Sequence, residues 1–196
     1  MYHKHHTKGI ILGGRGEGDY SRRVAVLTES FGLIYGKVQG ARMLKSRLRS
    51  GVQDFAYGEF SLVHGKVGWR VVSTRVEKNF FELLKSSPSK LAILGNTLRL
   101  VRKLVAGEEP DAPLFQIITG FLERLPAMEE RLVQMAECMV LMKILHTLGY
   151  MRHDPEFLEN FQTINLTQED LENLLPKRVK MIKLINESLK ATQILS

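Results

Sequence analysis

Five short runs of β-forming residues, separated by glycine-rich turns, fill the first 79 residues, and this pattern limits the fold more than any other feature. "KGIIL" ends at a glycine cluster, and "SRRVAVLTES" alternates polar and apolar side chains from Arg22 to Thr28. "GLIYGKVQG" sets Leu33, Tyr35 and Lys37 against Ile34, Gly36 and Val38. "YGEFSLVHG" alternates around Phe60 and Leu62, and "GWRVVSTRVEK" is rich in β-branched residues. A period of two sends successive side chains to opposite faces, so each run offers one face to a core. Five such strands in about 75 residues match an OB-type barrel in size, and other short all-β architectures fit the same pattern.

Near Lys78–Phe80 the period changes to that of a helix. In "SPSKLAILGNTLRLVRKLVAGEEP", Leu91, Leu94, Leu98, Val101 and Val105 recur at steps of three and four, with Gly107 and Pro110 as the stop. In "PAMEERLVQMAECMVLMKILHTLGY", Met128, Leu132, Met135, Met139 and Met142 form one stripe, and Val133, Val140, Ile144 and Leu148 a second. Two stripes imply a helix buried on much of its circumference, the centre of a bundle. "TQED" at 167–170 is a capping-box pattern. Pro176 is expected in the first turn of a last helix that contains Val179, Ile182, Ile185 and Leu189. The expected class is α+β, a five-stranded barrel over residues 1–79 followed by an all-α domain over 80–196.

The formal charge of +7 is unevenly spread. Residues 1–85 hold 15 Lys+Arg against 7 Asp+Glu, whereas residues 86–196 hold 13 against 14. The excess therefore sits in the barrel half, which points to an anionic partner there. The densest stretch is "GARMLKSRLRSGVQDF", residues 40–55, where Arg42, Lys45, Arg47 and Arg49 face a single acid, Asp54. It connects the third and fourth strands. Lys37, Arg22, Arg23 and Arg15 extend it. Tyr20, Phe31, Tyr35, Phe55, Tyr57 and Trp69 lie between these cations, most of them needed for the core and one or two left as stacking platforms. Cations that track a backbone, interleaved with aromatic faces, are what sequence-tolerant strand binding requires. Nucleic-acid binding is favoured over a merely solvated charge run.

Other features are read more plainly. "GGRGEGD" at 13–19 lacks the Gly-Lys-Ser/Thr of a phosphate loop and precedes a strand, so it is expected to be a flexible connection between the first two strands. "HKHH" at 3–6 has no neighbouring carboxylate or cysteine and is expected to be a mobile tail rather than a metal site. His64, His146 and His153 are scattered, with no nucleophile–base–orienter set. An enzyme is disfavoured, and no cofactor or metal is expected. The single cysteine, Cys138, makes no disulfide framework or structural zinc site and fits a reducing compartment. No apolar run approaches the roughly 18 residues of a membrane span, and "IIL" is too short for the core of a signal peptide. The methionines at 128, 135, 139, 142 and 151 are core filling, with a peptide-binding groove as the alternative.

Several strings together resemble the RecO family of bacterial recombination mediators. "TKGIILGGRGEGDYSRRVAVLTESFGLIYGKVQGAR" is similar to the family's opening, "KSRLRSGVQDF" to its "KS.L...LQPF", and "ECMVLMKILHTLGY" to the helix ending in "LL..LGY". The resemblance implies an N-terminal OB-fold and a C-terminal helical domain. It implies binding of single- and double-stranded DNA, annealing of complementary strands, and help in loading RecA onto strands covered by single-strand binding protein. Implied partners are RecR and the acidic C-terminal tail of single-strand binding protein, in the bacterial cytoplasm near the nucleoid. The DNA-binding candidates are Arg15, Arg22, Arg23, Lys37, Arg42, Lys45, Arg47 and Arg49. Arg124, Arg131 and Lys143 are candidates for the basic rim of a tail groove. The alternatives are an adaptor that binds the tail with little DNA contact, and an RNA-binding OB protein. Many members carry a four-cysteine zinc module after "LGY"; "MRHDPEFLENFQTINL" has no cysteine, so no zinc is expected. Asp54 stands where the family often has proline, and "CMVLM" where it favours Phe-Glu-Leu.

Overall fold

The computed structural model describes residues 3–43, 46, 48–152, 154–163 and 167–192. Five strands, β1 (Lys4–Glu17), β2 (Ser21–Thr28), β3 (Gly32–Val38), β4 (Ala56–Gly65) and β5 (Gly68–Asn79), close into a barrel in the order β1-β2-β3-β5-β4. Neighbours are antiparallel except β3 and β5, which are parallel. This is the OB-fold, and with the helices that follow it makes the chain α+β, as expected.

One long strand closes the barrel at both edges. Residues 4–10 of β1 pair with β4, and residues 9–17 pair with β2. Serving two neighbours requires a bend, supplied by the irregular register between Ile11 and Gly13. Gly13 takes φ 138 there, a value open to glycine and costly for other residues. Two sequence expectations fail at this strand. "GGRGEGD" is not a flexible connection: β1 continues to Glu17, and only Gly18–Tyr20 turn. His5 and His6 are not a tail: they pair with Leu62 and Ser61. Both stretches are held by partners distant in sequence, which local composition does not reveal.

The barrel core gathers the inward residues of every strand, including Ile11, Val24, Ile34, Phe60, Leu62 and Val71. Ala41 and Val52, from the β3–β4 connection, join the same cluster. The chain divides into two compact units, Met1–Lys85 with Ala106–Ala112, and Ser86–Val105 with Pro113–Ser196. The short helix α1 (Phe80–Leu84) belongs to the first. Asn79 caps it by accepting the N–H groups of Phe81 and Glu82.

In the second unit, α4 (Val133–Thr147) packs against α2 (Pro88–Leu104), α6 (Gln168–Leu174) and α7 (Arg178–Ala191). Met135, Met139 and Met142 are buried together with Val133, Val140 and Ile144, so both expected stripes face neighbours. Two further helices, α3 (Ala112–Arg124) and α5 (Leu158–Gln162), add to those expected from the pattern. The capping box is present: Thr167 Oγ1 accepts the Asp170 N–H, and Asp170 Oδ2 accepts the Thr167 N–H at 2.7 Å. Pro176 lies in the 3-10 turn Leu175–Lys177, just before α7. The inner face of α7 is Met181, Ile185 and Ser188, and Val179 is 82% exposed. The helix carries two rows of apolar residues, and docking rather than periodicity selects the one that faces α4. No helix among the described residues is long and apolar enough to cross a membrane.

Candidate nucleic-acid interface

The strand register aligns cations that are far apart in sequence. Arg15 lies opposite Arg23, Arg23 opposite Lys37, and Lys37 opposite Arg70. Directly opposed residues share a face, so the four form one row across β1, β2, β3 and β5. Glu17 sits beside the row, accepting from Arg23 Nε and Nη2 at 3.3 Å and lying 3.6 Å from Lys37 Nζ. The Arg23 guanidinium, aided by Lys37, holds the Glu17 carboxyl below its ordinary range. One carboxylate thus spaces two cations while the row stays positive.

The row borders a basin of about 390 Å³ lined by Glu17, Arg23, Lys37, Lys66, Trp69 and Arg70. It lies on the β2–β3 face beside the β4–β5 turn, where OB barrels engage oligonucleotides. Tyr20, in the β1–β2 turn, is 60% exposed, and Tyr35, two residues before Lys37 on the same face, is 44% exposed. Tyr20 and Tyr35 are thus exposed aromatics on this side of the barrel, whereas Tyr57 and Trp69 are buried.

The β3–β4 connection is seated against the barrel. Arg42 donates its backbone N–H to Tyr20 O at 3.0 Å and its Nη1 to Gly18 O at 3.1 Å. Arg42 and Arg49 are exposed, and Lys45 and Arg47 lie outside the described residues. Arg22 is engaged differently. Its Nη1 donates to Val52 O at 2.6 Å and its Nη2 to Asp54 Oδ1 at 2.6 Å. Asp54 is thus the acid that secures Arg22 to the connection. Arg22→Ala is expected to cost about 1–3 kcal/mol, the range for losing charge-assisted hydrogen bonds and leaving a carbonyl under-satisfied. Arg22→Lys should rescue little, because a single ammonium cannot reproduce the fork. Urea unfolding, with proteolysis of residues 39–55, measures both.

In the helical unit, Arg124 and Lys143 line one cavity of about 50 Å³, with walls that include Phe121, Met128, Met139 and Leu171. Lys143 is 4% exposed and donates to Thr163 O. Burial first, and then the Arg124 charge, push its ammonium down to about 8. Arg131 is not at this cavity: it pairs with Glu129 at 2.7 Å and with Glu172. A lysine depressed in the folded chain is bound by fewer protons there than in the unfolded chain between about pH 8 and its ordinary 10.5. Stability should therefore rise with pH across that window. Denaturant midpoints at several pH values should show the rise in the parent and its loss in Lys143→Met. Among the described residues, no group of three or more His, Cys, Asp or Glu is disposed to hold a metal ion.

Residues 1–73, which cover β1 to β4 and the first half of β5, match the family model described as Recombination protein O N terminal. The barrel is thus similar to the N-terminal domain of the RecO family. Curated relatives named DNA repair protein RecO agree. That of Acetivibrio thermocellus is 26% identical over 144 residues, 74% of this chain and 57% of the relative. That of Gloeothece citriformis is 30% identical over 125 residues, 64% of this chain and 44% of the relative. That of Alkaliphilus metalliredigens is 29% identical over 112 residues, 57% and 45% of the two chains. The chain spans about half the length of the curated relatives it matches. On this barrel, Lys66 and Arg70 are the basin residues that sequence reasoning missed. The tight "GKVG" turn and the strand alternation held a local signal for each, but their convergence on Lys37 depends on the parallel β3–β5 pairing.

Proposed function

We propose that this chain is a DNA-repair and recombination mediator that binds single- and double-stranded DNA on its barrel and anneals complementary strands. The observation that carries the reading is the row Arg15–Arg23–Lys37–Arg70, bordering a basic basin on the face OB barrels use for oligonucleotides. Annealing needs two anionic strands held close with their repulsion screened, and no covalent bond need break, so no catalytic residue is assigned. Phosphates follow the row, Tyr20 and Tyr35 offer faces for bases, and Arg42, Lys45, Arg47 and Arg49 widen the path from the adjoining connection. Phosphate contacts carry little sequence information and release counterions, so binding is sequence-tolerant and weakens steeply with salt.

The Arg124–Lys143 cavity favours a second, compatible activity in the helical unit. The cavity itself is too small for a peptide, but the adjoining groove of about 520 Å³, lined by Arg124, Met128, Leu132 and Leu171, suits a short peptide with acidic and apolar residues, such as the C-terminal tail of single-strand binding protein. Through that tail, and through RecR, the chain would help load RecA on covered strands in the bacterial cytoplasm. Annealing of complementary oligonucleotides, naked or coated with single-strand binding protein and in the presence of EDTA, tests both readings. Annealing of naked strands without metal is expected. Its absence rejects the annealing role, and failure on coated strands alone rejects the tail contact.

A further inference from the structure

His3 and His5 meet the sequence-distant His64 at one end of the barrel. The β4–β5 register sets His64 opposite Trp69, and β1 brings His5 in from the other side. The ring centroids of His64 and His5 lie 4.8 and 5.6 Å from that of Trp69, both edge-on. Phe31 is 5.1 Å from His5 and from Trp69, and His3 is 5.2 Å from His5. Trp69 is 7% exposed, and its indole N–H has no hydrogen-bond partner. His3 and His64 are exposed and His5 is half-buried. Gly65, next to His64, and Trp69 itself also line the basic basin, so the cluster adjoins the phosphate path.

The charged groups around it are mostly cationic. Lys4, His6 and Lys8 lie on β1, Lys66 in the β4–β5 turn and Arg70 on β5. Lys8 is paired with Glu77, and His6 Nδ1 lies 3.1 Å from Ser61 Oγ. The acids on the neighbouring segments are Glu29, in the β2–β3 turn, and Glu109, whose backbone lies against Gly32.

We infer that His3, His5 and His64 form a proton-operated extension of the DNA interface. It rests on the proposed DNA path over the basin. Neutral imidazoles pack as aromatic rings around Trp69. On acidification they become cations at the rim of the basin, where further phosphates reach them. Histidine is the side chain whose ordinary charge change falls near neutral pH. If phosphate prefers the charged rings, DNA binding takes up protons, and acidification strengthens it by the same factor.

Oligothymidylate serves as the probe, because its bases do not titrate in this range. Between about pH 8 and about pH 6, wild-type affinity is expected to rise roughly tenfold, and the salt slope to steepen by about 1.4 for two added single-strand contacts. His3→Gln/His5→Gln/His64→Gln should bind like wild type at the higher pH and lose the rise. Trp69 is the only tryptophan, so its fluorescence follows the titration, and oligothymidylate should shift that curve to higher pH. His64→Gln alone, at an exposed position, should lose part of the rise with an unchanged unfolding midpoint. A triple variant that keeps the rise, or a fluorescence curve unmoved by DNA, overturns the inference. Wild type that fails to bind at the higher pH rejects the DNA path itself.

Discussion

Replacing Arg23, Lys37, Lys66 and Arg70 together by alanine lowers affinity for a single-stranded oligonucleotide by about 100- to 1,000-fold at low salt. It also reduces the slope of log affinity against log salt by about three. The estimate follows from counterion release, because each phosphate contact on a single strand contributes a slope of roughly 0.7. The four residues line one basin, so they are expected to act on one stretch of backbone. Changing Arg42, Lys45, Arg47 and Arg49 to alanine is a parallel experiment on the neighbouring connection. If only the second set flattens the slope, the DNA path runs over the connection and leaves the barrel face. Arg22 is absent from both sets, because its guanidinium secures Val52 and Asp54 and its loss would confound binding with stability. Anisotropy titrations at four or more salt concentrations provide the slopes.

The second large effect concerns the segment after Gly149, where this chain has no zinc-binding cysteines. Phe157→Ala is expected to cost about 3–5 kcal/mol, the range for emptying a fully buried aromatic site. Phe157 is fully buried, with Lys180 Nζ 5.4 Å and Lys177 Nζ 5.9 Å from its ring centroid. Asp154 caps the turn ahead of it by accepting the Glu156 N–H, and Lys180 pairs with Asp154 at 2.9 Å and with Glu156 at 2.5 Å. A packed phenylalanine under an ion-pair network is thus what fastens this segment. Thermal unfolding of the parent with and without EDTA should give the same midpoint, whereas Phe157→Ala should lower it by several degrees. Lys180 first, and then the Glu156 N–H, hold the Asp154 carboxyl below its ordinary range. Its contribution is therefore present above the ordinary carboxylate range and lost as pH falls through the lowered value. The group is only partly buried, so that loss is small.

The fold was legible because its signals are local. Period-two runs ending in glycine marked five strands, and the change of period near Phe80 marked the start of the helices. The α4 stripes and the Thr167–Asp170 capping box needed no tertiary information either. The candidate interface was legible only in part. Charge asymmetry pointed to the barrel half, and Arg15, Arg23 and Lys37 could be named from composition and spacing. Lys66 and Arg70 could not be joined to them, because the parallel β3–β5 contact leaves no mark on either strand alone. In the helical unit, Arg124, Arg131 and Lys143 looked equivalent in sequence. Docking buried Lys143 in a cavity with Arg124 and gave Arg131 to Glu129 and Glu172.

By itself, the sequence determined where the strand cores and the main helices lie, that the positive charge belongs to the barrel, and that no cysteine set for zinc exists. These are matters of local periodicity and composition. Only the tertiary structure decided which cations share a face, that Arg22 is held by Asp54, and that "HKHH" is drawn into β1 with His5 against Trp69. Those outcomes depend on register between strands distant in sequence, where a shift of one residue would turn every side chain to the other face.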